Sequence, residues 1–74
     1  MNAQAGEELL VLRKRKKLTL EEASQLIGID VGTLSRYENG KVAISLEMID
    51  KILKVYDEEP NNFFNNLCAN MQKE

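Results

Sequence analysis

The chain of 74 residues has no histidine, no tryptophan, one cysteine and one proline. Without histidine, the side chain best suited to moving protons near neutral pH is missing, and a lone cysteine cannot form a thiolate metal pair. A glycine-rich phosphate loop is also absent. The acid pairs Glu7-Glu8, Glu21-Glu22 and Glu58-Glu59 fall at expected helix starts, where the helix dipole accounts for them. The sequence therefore predicts no enzyme, no metal site and no cofactor. Cys68 can form no intrachain disulfide, and its expected place is that of a small apolar filler on the last helix. No apolar run is long enough to span a bilayer, and the basic cluster follows Leu9 to Leu12 instead of preceding a longer apolar run, as a signal peptide would require. A cytoplasmic chain with no membrane partner is expected.

Few aromatics, little proline and no strand-like alternation leave helix as the dominant element. At this length one domain over residues 1–74 is expected, with a core over 6–64 that must use every apolar helix face. The most informative stretch is 19–40, TLEEASQLIGIDVGTLSRYENG. Thr19 can cap a helix, and Glu22, three residues on, can complete a capping box. Leu20, Ala23 and Ile27 recur at helical spacing until Gly28, which turns left-handed most cheaply. Asp30 supplies a second cap, Leu34 and Tyr37 an inward face, and Asn39-Gly40 a stop. Two short helices joined by a tight turn form a helix-turn-helix, whose second helix, Val31 to about Asn39, fits a DNA major groove. That helix carries few bulky outward residues, so its surface can approach closely.

The flanking segments read as three more helices. From Gly6 to about Lys16, Leu9 and Leu12 share a face, and Lys14 to Lys17 place cations at the negative end of the dipole. The run Arg13-Lys14-Arg15-Lys16-Lys17 fits either phosphate binding or a solvated helix end. Residues 1–5 carry no periodic signal. After Gly40, Ile44 is expected to tuck inward and Ser45 to cap a fourth helix, with Leu46, Ile49, Ile52, Leu53 and Tyr56 facing the core. Glu59-Pro60 opens a fifth helix, about 60–71. Its apolar residues Phe63, Phe64, Leu67, Cys68 and Met71 make a stripe wide enough for both the core and a partner, and Leu10 and Val11 are apolar beyond what the interior needs.

The formal net charge is −2, unhelpful for a chain meant to bind phosphates. Its distribution is uneven: +3 over residues 1–17, −2 over 18–45 and −3 over 46–74. A basic edge near the helix-turn-helix and an acidic far side are expected, with weak non-specific DNA binding.

In Arg13, Leu18-Thr19, Glu21-Glu22, Gly28, Leu34-Ser35-Arg36, Glu38-Asn39-Gly40-Lys41 and Ser45-Leu46-Glu47, taken in order and spacing, the chain resembles the lambda-repressor and Cro type of helix-turn-helix domain, the XRE family. The likeness runs from about Gly6 to about Phe64. Leu20 stands where glutamine is usual, Ser24 where alanine is usual, Ala23 where a larger apolar residue is usual, and Asp57 where glycine usually ends the fourth helix. The resemblance implies an all-α, compact five-helix lambda-repressor-like fold. It also implies that Arg13 pairs with Glu38 to lock the first helix to the third. Val31, Gly32 and Arg36 fall at base-reading positions, with Thr33 and Ser35 at the edge of that face. The DNA backbone would meet Thr19, Leu20, Ser35, Asn39 and Lys41. The implied function is sequence-specific regulation of transcription, as a repressor of phage or bacterial type that binds an inverted repeat in double-stranded DNA as a homodimer. Two alternatives remain: an antitoxin or adaptor capturing a protein through its C-terminal helix, or the DNA-binding domain of a longer regulator.

Overall fold

The computed structural model describes the backbone of residues 2–72 and the side chains of residues 4–69. Along them run α1 (Asn2–Arg15), α2 (Leu20–Ile27), α3 (Val31–Glu38), α4 (Leu46–Val55) and α5 (Pro60–Gln72). No strand occurs among the described residues, in agreement with the expected all-α class.

Each junction has a local cause. Thr19 Oγ1 accepts the Glu22 backbone N–H while Glu22 Oε1 accepts that of Thr19, so the capping box at the start of α2 is closed in both directions. Gly28 ends α2 in the left-handed region at φ 90°, and the N–H groups of Gly28 and Ile29 both return to Ser24 O. The turn into α3 then needs only Ile29 before Asp30, whose Oδ2 accepts the Gly32 N–H at 2.9 Å. At the far end of α3, Asn39 has an ordinary φ of −94°, and Gly40, at φ 69°, makes the left-handed turn alone. Ser45 caps α4 through the Met48 N–H.

Two helices stop on residues other than glycine. Lys17 (φ 63°) follows α1 and Asp57 (φ 55°) follows α4. At both ends the next residue bonds back across the last turn, Leu18 N–H to Arg13 O and Glu58 N–H to Leu53 O, the Schellman arrangement that satisfies otherwise orphaned carbonyls. Asp57 thus does the work glycine usually does at that place.

α1 packs against α3 and α5, and α2 against α3 and α4, so α3 is held between the first two helices. The interior is made of Leu9, Leu12, Ala23, Ile27, Leu34, Ile52, Leu53, Tyr56 and Phe63, each at most 2% exposed, with Ile44 tucked in at 9%. Ser24, at a position where the resemblance implies alanine, is buried, and its hydroxyl donates to Glu21 O at 3.0 Å, so this polar group is not stranded.

Three expectations need correction. α1 starts at Asn2, not Gly6, and Ala5 is buried; one small inward residue leaves no period to read. Leu46, expected in the core, is 73% exposed. Its helical phase is inward, but at the first position of α4 no neighbouring element reaches it. Cys68 is exposed and fills nothing. On α5, Phe63 and Leu67 form the buried line, and Phe64 and Cys68, each one residue later, form an outward one. Phe64 leans edge-on against Phe63, centroids 5.2 Å apart, and stays 38% exposed. Two of the five residues of the expected stripe are therefore used by the chain's own core; the Met71 side chain lies outside the described ones.

Gly6 was given no role by periodicity, yet it sets the distance between α1 and α3. A Cβ there would overlap the Tyr37 carbonyl oxygen and lie 2.9 Å from that of Glu38. Helix propensity favours alanine over glycine by about 1 kcal/mol, whereas overpacking costs about 1–3 kcal/mol. Gly6→Ala should therefore destabilise the fold in a urea melt; a higher midpoint would show that the two helices can move apart freely.

Candidate nucleic-acid interface

The outward face of α3 follows from what points inward. Leu34 is fully buried and Glu38 is buried one turn later. At about 100° per residue, Gly32 and Arg36 lie nearly opposite Leu34, flanked by Thr33 on one side and Ser35 and Asn39 on the other. Arg36 and Asn39 are exposed, Gly32, Thr33 and Ser35 half-buried, and Val31, at the first position of the helix, is 38% exposed. The structure thus gathers Gly32, Thr33 and Arg36 on one accessible strip, with Val31 exposed at its N-terminal end. Within it Arg36 Nη2 donates to Thr33 Oγ1 at 3.2 Å. Asn39 Nδ2 donates to Ser35 O at 2.8 Å and reaches Ser35 Oγ at 3.3 Å, so the two residues close the last turn of α3 together.

The groups expected to flank this strip divide by environment. Lys41 is exposed just past α3, its backbone N–H tied to Arg36 O. Thr19 is exposed, but its hydroxyl is occupied as a cap. Leu20 turns its side chain partly into the core, so what it can offer an anion is the backbone N–H at the first turn of α2, where helix geometry leaves such groups without an internal acceptor. Lys14, Arg15, Lys16 and Lys17 are all exposed on the chain leading into that turn.

Arg13 behaves differently from these cations. It is 7% exposed, and its guanidinium makes a two-pronged contact with Glu38, Nε to Oε2 at 2.7 Å and Nη2 to Oε1 at 3.0 Å. Its Nη1 donates to Leu18 O at 2.8 Å. One side chain thus ties the end of α1 to the α1–α2 turn and to the last turn of α3. The hydrogen bonds from Arg13 to Glu38 hold its guanidinium above the usual arginine range, although burial pulls the other way.

Tyr56, at 1% exposure, lies within electrostatic reach of this pair, and its hydroxyl has no hydrogen-bond partner among the described residues. Burial pushes the phenol up to about 12, Glu38 adding to the shift and Arg13 opposing it. Sequence reasoning took Tyr56 as a core residue and missed its place beside the ion pair. Only the polar tip on an otherwise aliphatic face could have signalled it. Sequence reasoning also gave no hint of the Leu18 carbonyl as the third acceptor for Arg13.

Among the described residues no group of histidine, cysteine, aspartate or glutamate could hold a metal ion, and no helix is long and apolar enough to cross a membrane.

Comparison with known proteins fits this geometry. Residues 9–63 match the family model described as Helix-turn-helix. The chain is 40% identical over 52 residues to Antitoxin PezA of Streptococcus pneumoniae serotype 4, an overlap covering 70% of this chain and 33% of the antitoxin. It is 34% identical over 53 residues to each of two proteins provisionally named HTH-type transcriptional regulatory proteins, from Thermococcus kodakarensis and Pyrococcus horikoshii, covering 72% of this chain and 17% of each of them. The chain thus spans a third or less of the length of these relatives.

Two outcomes test the buried polar group. Removing either Arg13 or Glu38 alone strands a buried charge and should cost about 3 kcal/mol, several times an exposed pair, while the double substitution recovers part of the loss. Simple additivity in the cycle would contradict a coupled pair. Tyr56 holds its proton up to about pH 12 when folded but loses it near pH 10 when unfolded, so stability should fall as pH rises from 10 towards 12. Tyr56→Phe should lack that part of the decline. Identical alkaline profiles for the two proteins would place the phenol in solvent.

Proposed function

The chain belongs to the XRE family of helix-turn-helix proteins, and from that premise we propose that it is a sequence-specific DNA-binding regulator of transcription, acting in the cytoplasm as a repressor. The observation that carries this reading is the strip Val31, Gly32, Thr33 and Arg36 on a helix whose opposite side is buried and anchored by Arg13 and Glu38. Small residues let the backbone of α3 approach base edges. In the major groove an arginine bonds guanine O6 and N7 together, and a valine methyl packs on a thymine methyl. Asn39, Ser35, Lys41 and the first turn of α2 at Thr19 and Leu20 stand on either side and meet phosphates, which fixes the register of the helix.

Binding an inverted repeat as a homodimer belongs to the same proposal. Phe63 and Leu67 are spent on the core, so among the described residues the large apolar groups left for a second copy, Val31 of the recognition strip aside, are Phe64 on α5, Val11 on α1, Leu26 on α2, and Val42 and Leu46 around the start of α4. A dimer of this kind favours half-sites about 34 Å apart along the duplex.

A second reading is favoured by the 40% identity to Antitoxin PezA: the chain is the DNA-binding part of an antitoxin whose further segments meet a protein partner. It predicts that a neighbouring gene arrests growth when expressed alone and that co-expression with this one restores it. A third reading, the DNA-binding domain of a longer regulator, is supported by the greater length of these relatives.

Selection from random duplexes tests the base-reading assignment. Arg36→Ala should relax preference at one base pair per half-site, a loss of roughly 1–3 kcal/mol of discrimination. Lys41→Ala should weaken all sequences about equally and flatten the salt dependence by about one phosphate. If Arg36→Ala keeps the wild-type preference at every position and loses only overall affinity, Arg36 is a phosphate ligand, and specificity comes from Val31, Thr33 or DNA shape.

A further inference from the structure

Gly32 is unexpected where it stands. It lies in the first turn of an eight-residue helix, it does not have the positive φ that would call for glycine, and glycine within a helix is unfavourable by about 1 kcal/mol against alanine. The space beside it is occupied. A Cβ at residue 32 would sit 2.9 Å from Asp30 Oδ2 and 3.4 Å from Arg36 Nη1. The Arg36 side chain is therefore laid back towards the start of α3, beside the bare Cα of Gly32, with its guanidinium against the Thr33 hydroxyl. Thr33 Oγ1 accepts from Arg36 Nη2 at 3.2 Å, across the i, i+3 spacing that makes two side chains neighbours on a helix. Asp30 Oδ2, on the other side of that space, accepts the Gly32 N–H as the cap of α3.

We propose that Thr33 and Gly32 are positioning residues for Arg36: the hydroxyl and the missing side chain together hold the arginine flat along the recognition strip, so that it reads a base pair facing the first turn of α3. This rests on the DNA-binding reading above and changes one part of it, because Thr33 and Gly32 then shape specificity through Arg36 and not by their own base contacts. An arginine loses rotamer freedom when it is fixed on a base, and a side chain held in place beforehand has less to lose. For one such side chain the saving amounts to about 2- to 12-fold in affinity.

The test uses Thr33→Val, which keeps the shape and removes the acceptor, and Thr33→Ser, which keeps the acceptor. Two measurements are needed. In selections from random duplexes, Thr33→Val should lower preference at the Arg36-dependent base pair by a few-fold, Thr33→Ser should stay within about twofold of wild type, and Thr33→Val should add no loss in an Arg36→Ala background. Thr33→Val matching wild type, or costing the same factor with and without Arg36, would overturn the proposal. In the DNA-free protein, NMR relaxation of the Arg36 Nε–H group should show order in the wild type that Thr33→Val loses and Thr33→Ser retains. An Arg36 guanidinium as mobile as that of exposed Arg15 would overturn the proposal on its own. Because this second measurement contains no DNA, it decides the positioning even if the wild-type chain binds no duplex, which would count against the DNA-binding reading instead.

Discussion

The Arg13–Glu38 contact is where the three segments that build the site meet. Its Nε and Nη2 close on both carboxylate oxygens, and Nη1 reaches back to Leu18 O. Burying two charges is costly, and such a pair repays desolvation only when its geometry is good and its remaining donors are satisfied. Here the fork matches the carboxylate, and the third donor is used by a carbonyl in a turn. The pair need not add net stability over an apolar replacement. What it adds is register: Leu34 and Ile27 could pack with α3 slightly rotated, whereas a two-pronged contact tolerates little rotation. Gly6 acts in the same direction, since close approach of α1 to the Tyr37 and Glu38 carbonyls fixes the depth at which α3 sits.

From that anchor the electrostatics of the surface can be understood. Arg13 is spent internally, so the cations free to meet phosphates are Lys14 to Lys17 beside the start of α2, together with Arg36 and Lys41 around α3. The acids Asp50, Asp57, Glu58 and Glu59 lie on α4 and in the turn that follows it. A net charge of −2 is thus compatible with a locally basic face, and on the DNA-binding reading proposed above it implies a smaller sequence-independent affinity than a strongly basic domain would have, leaving discrimination to α3. That gives weight to how Arg36 is held, because one ordered arginine contributes more selectivity than several mobile lysines.

Where the sequence was legible, the reason was local chemistry. Thr19 with Glu22, Gly28, Asp30 and Ser45 mark helix boundaries through short-range hydrogen bonds, and the structure closes each of them as the residues imply. The strip on α3 was legible for the same reason, since Leu34 fixes the helical phase. What was not legible depends on contacts distant in the chain. Asn2 to Ala5 extend α1 and bring Ala5 into the core, Leu46 lies exposed at the first position of α4, and Cys68 falls one residue off the buried line of α5. Gly6 and Tyr56 gain their meaning only once α1 and α4 are brought beside Glu38. Periodicity in one helix says which face is buried but not what lies opposite.

The central claim is that the face of α3 opposite Leu34 is the surface that meets DNA. The most direct measurement is an NMR titration of the isotopically labelled chain with a mixed-sequence duplex at low salt, followed through backbone amides. The largest shifts should fall on Val31, Gly32, Thr33, Arg36, Lys41 and the first turn of α2, with α5 around Phe64 and Cys68 little changed. Shifts centred on α5 or on the exposed start of α4, with α3 unaffected, would contradict the claim.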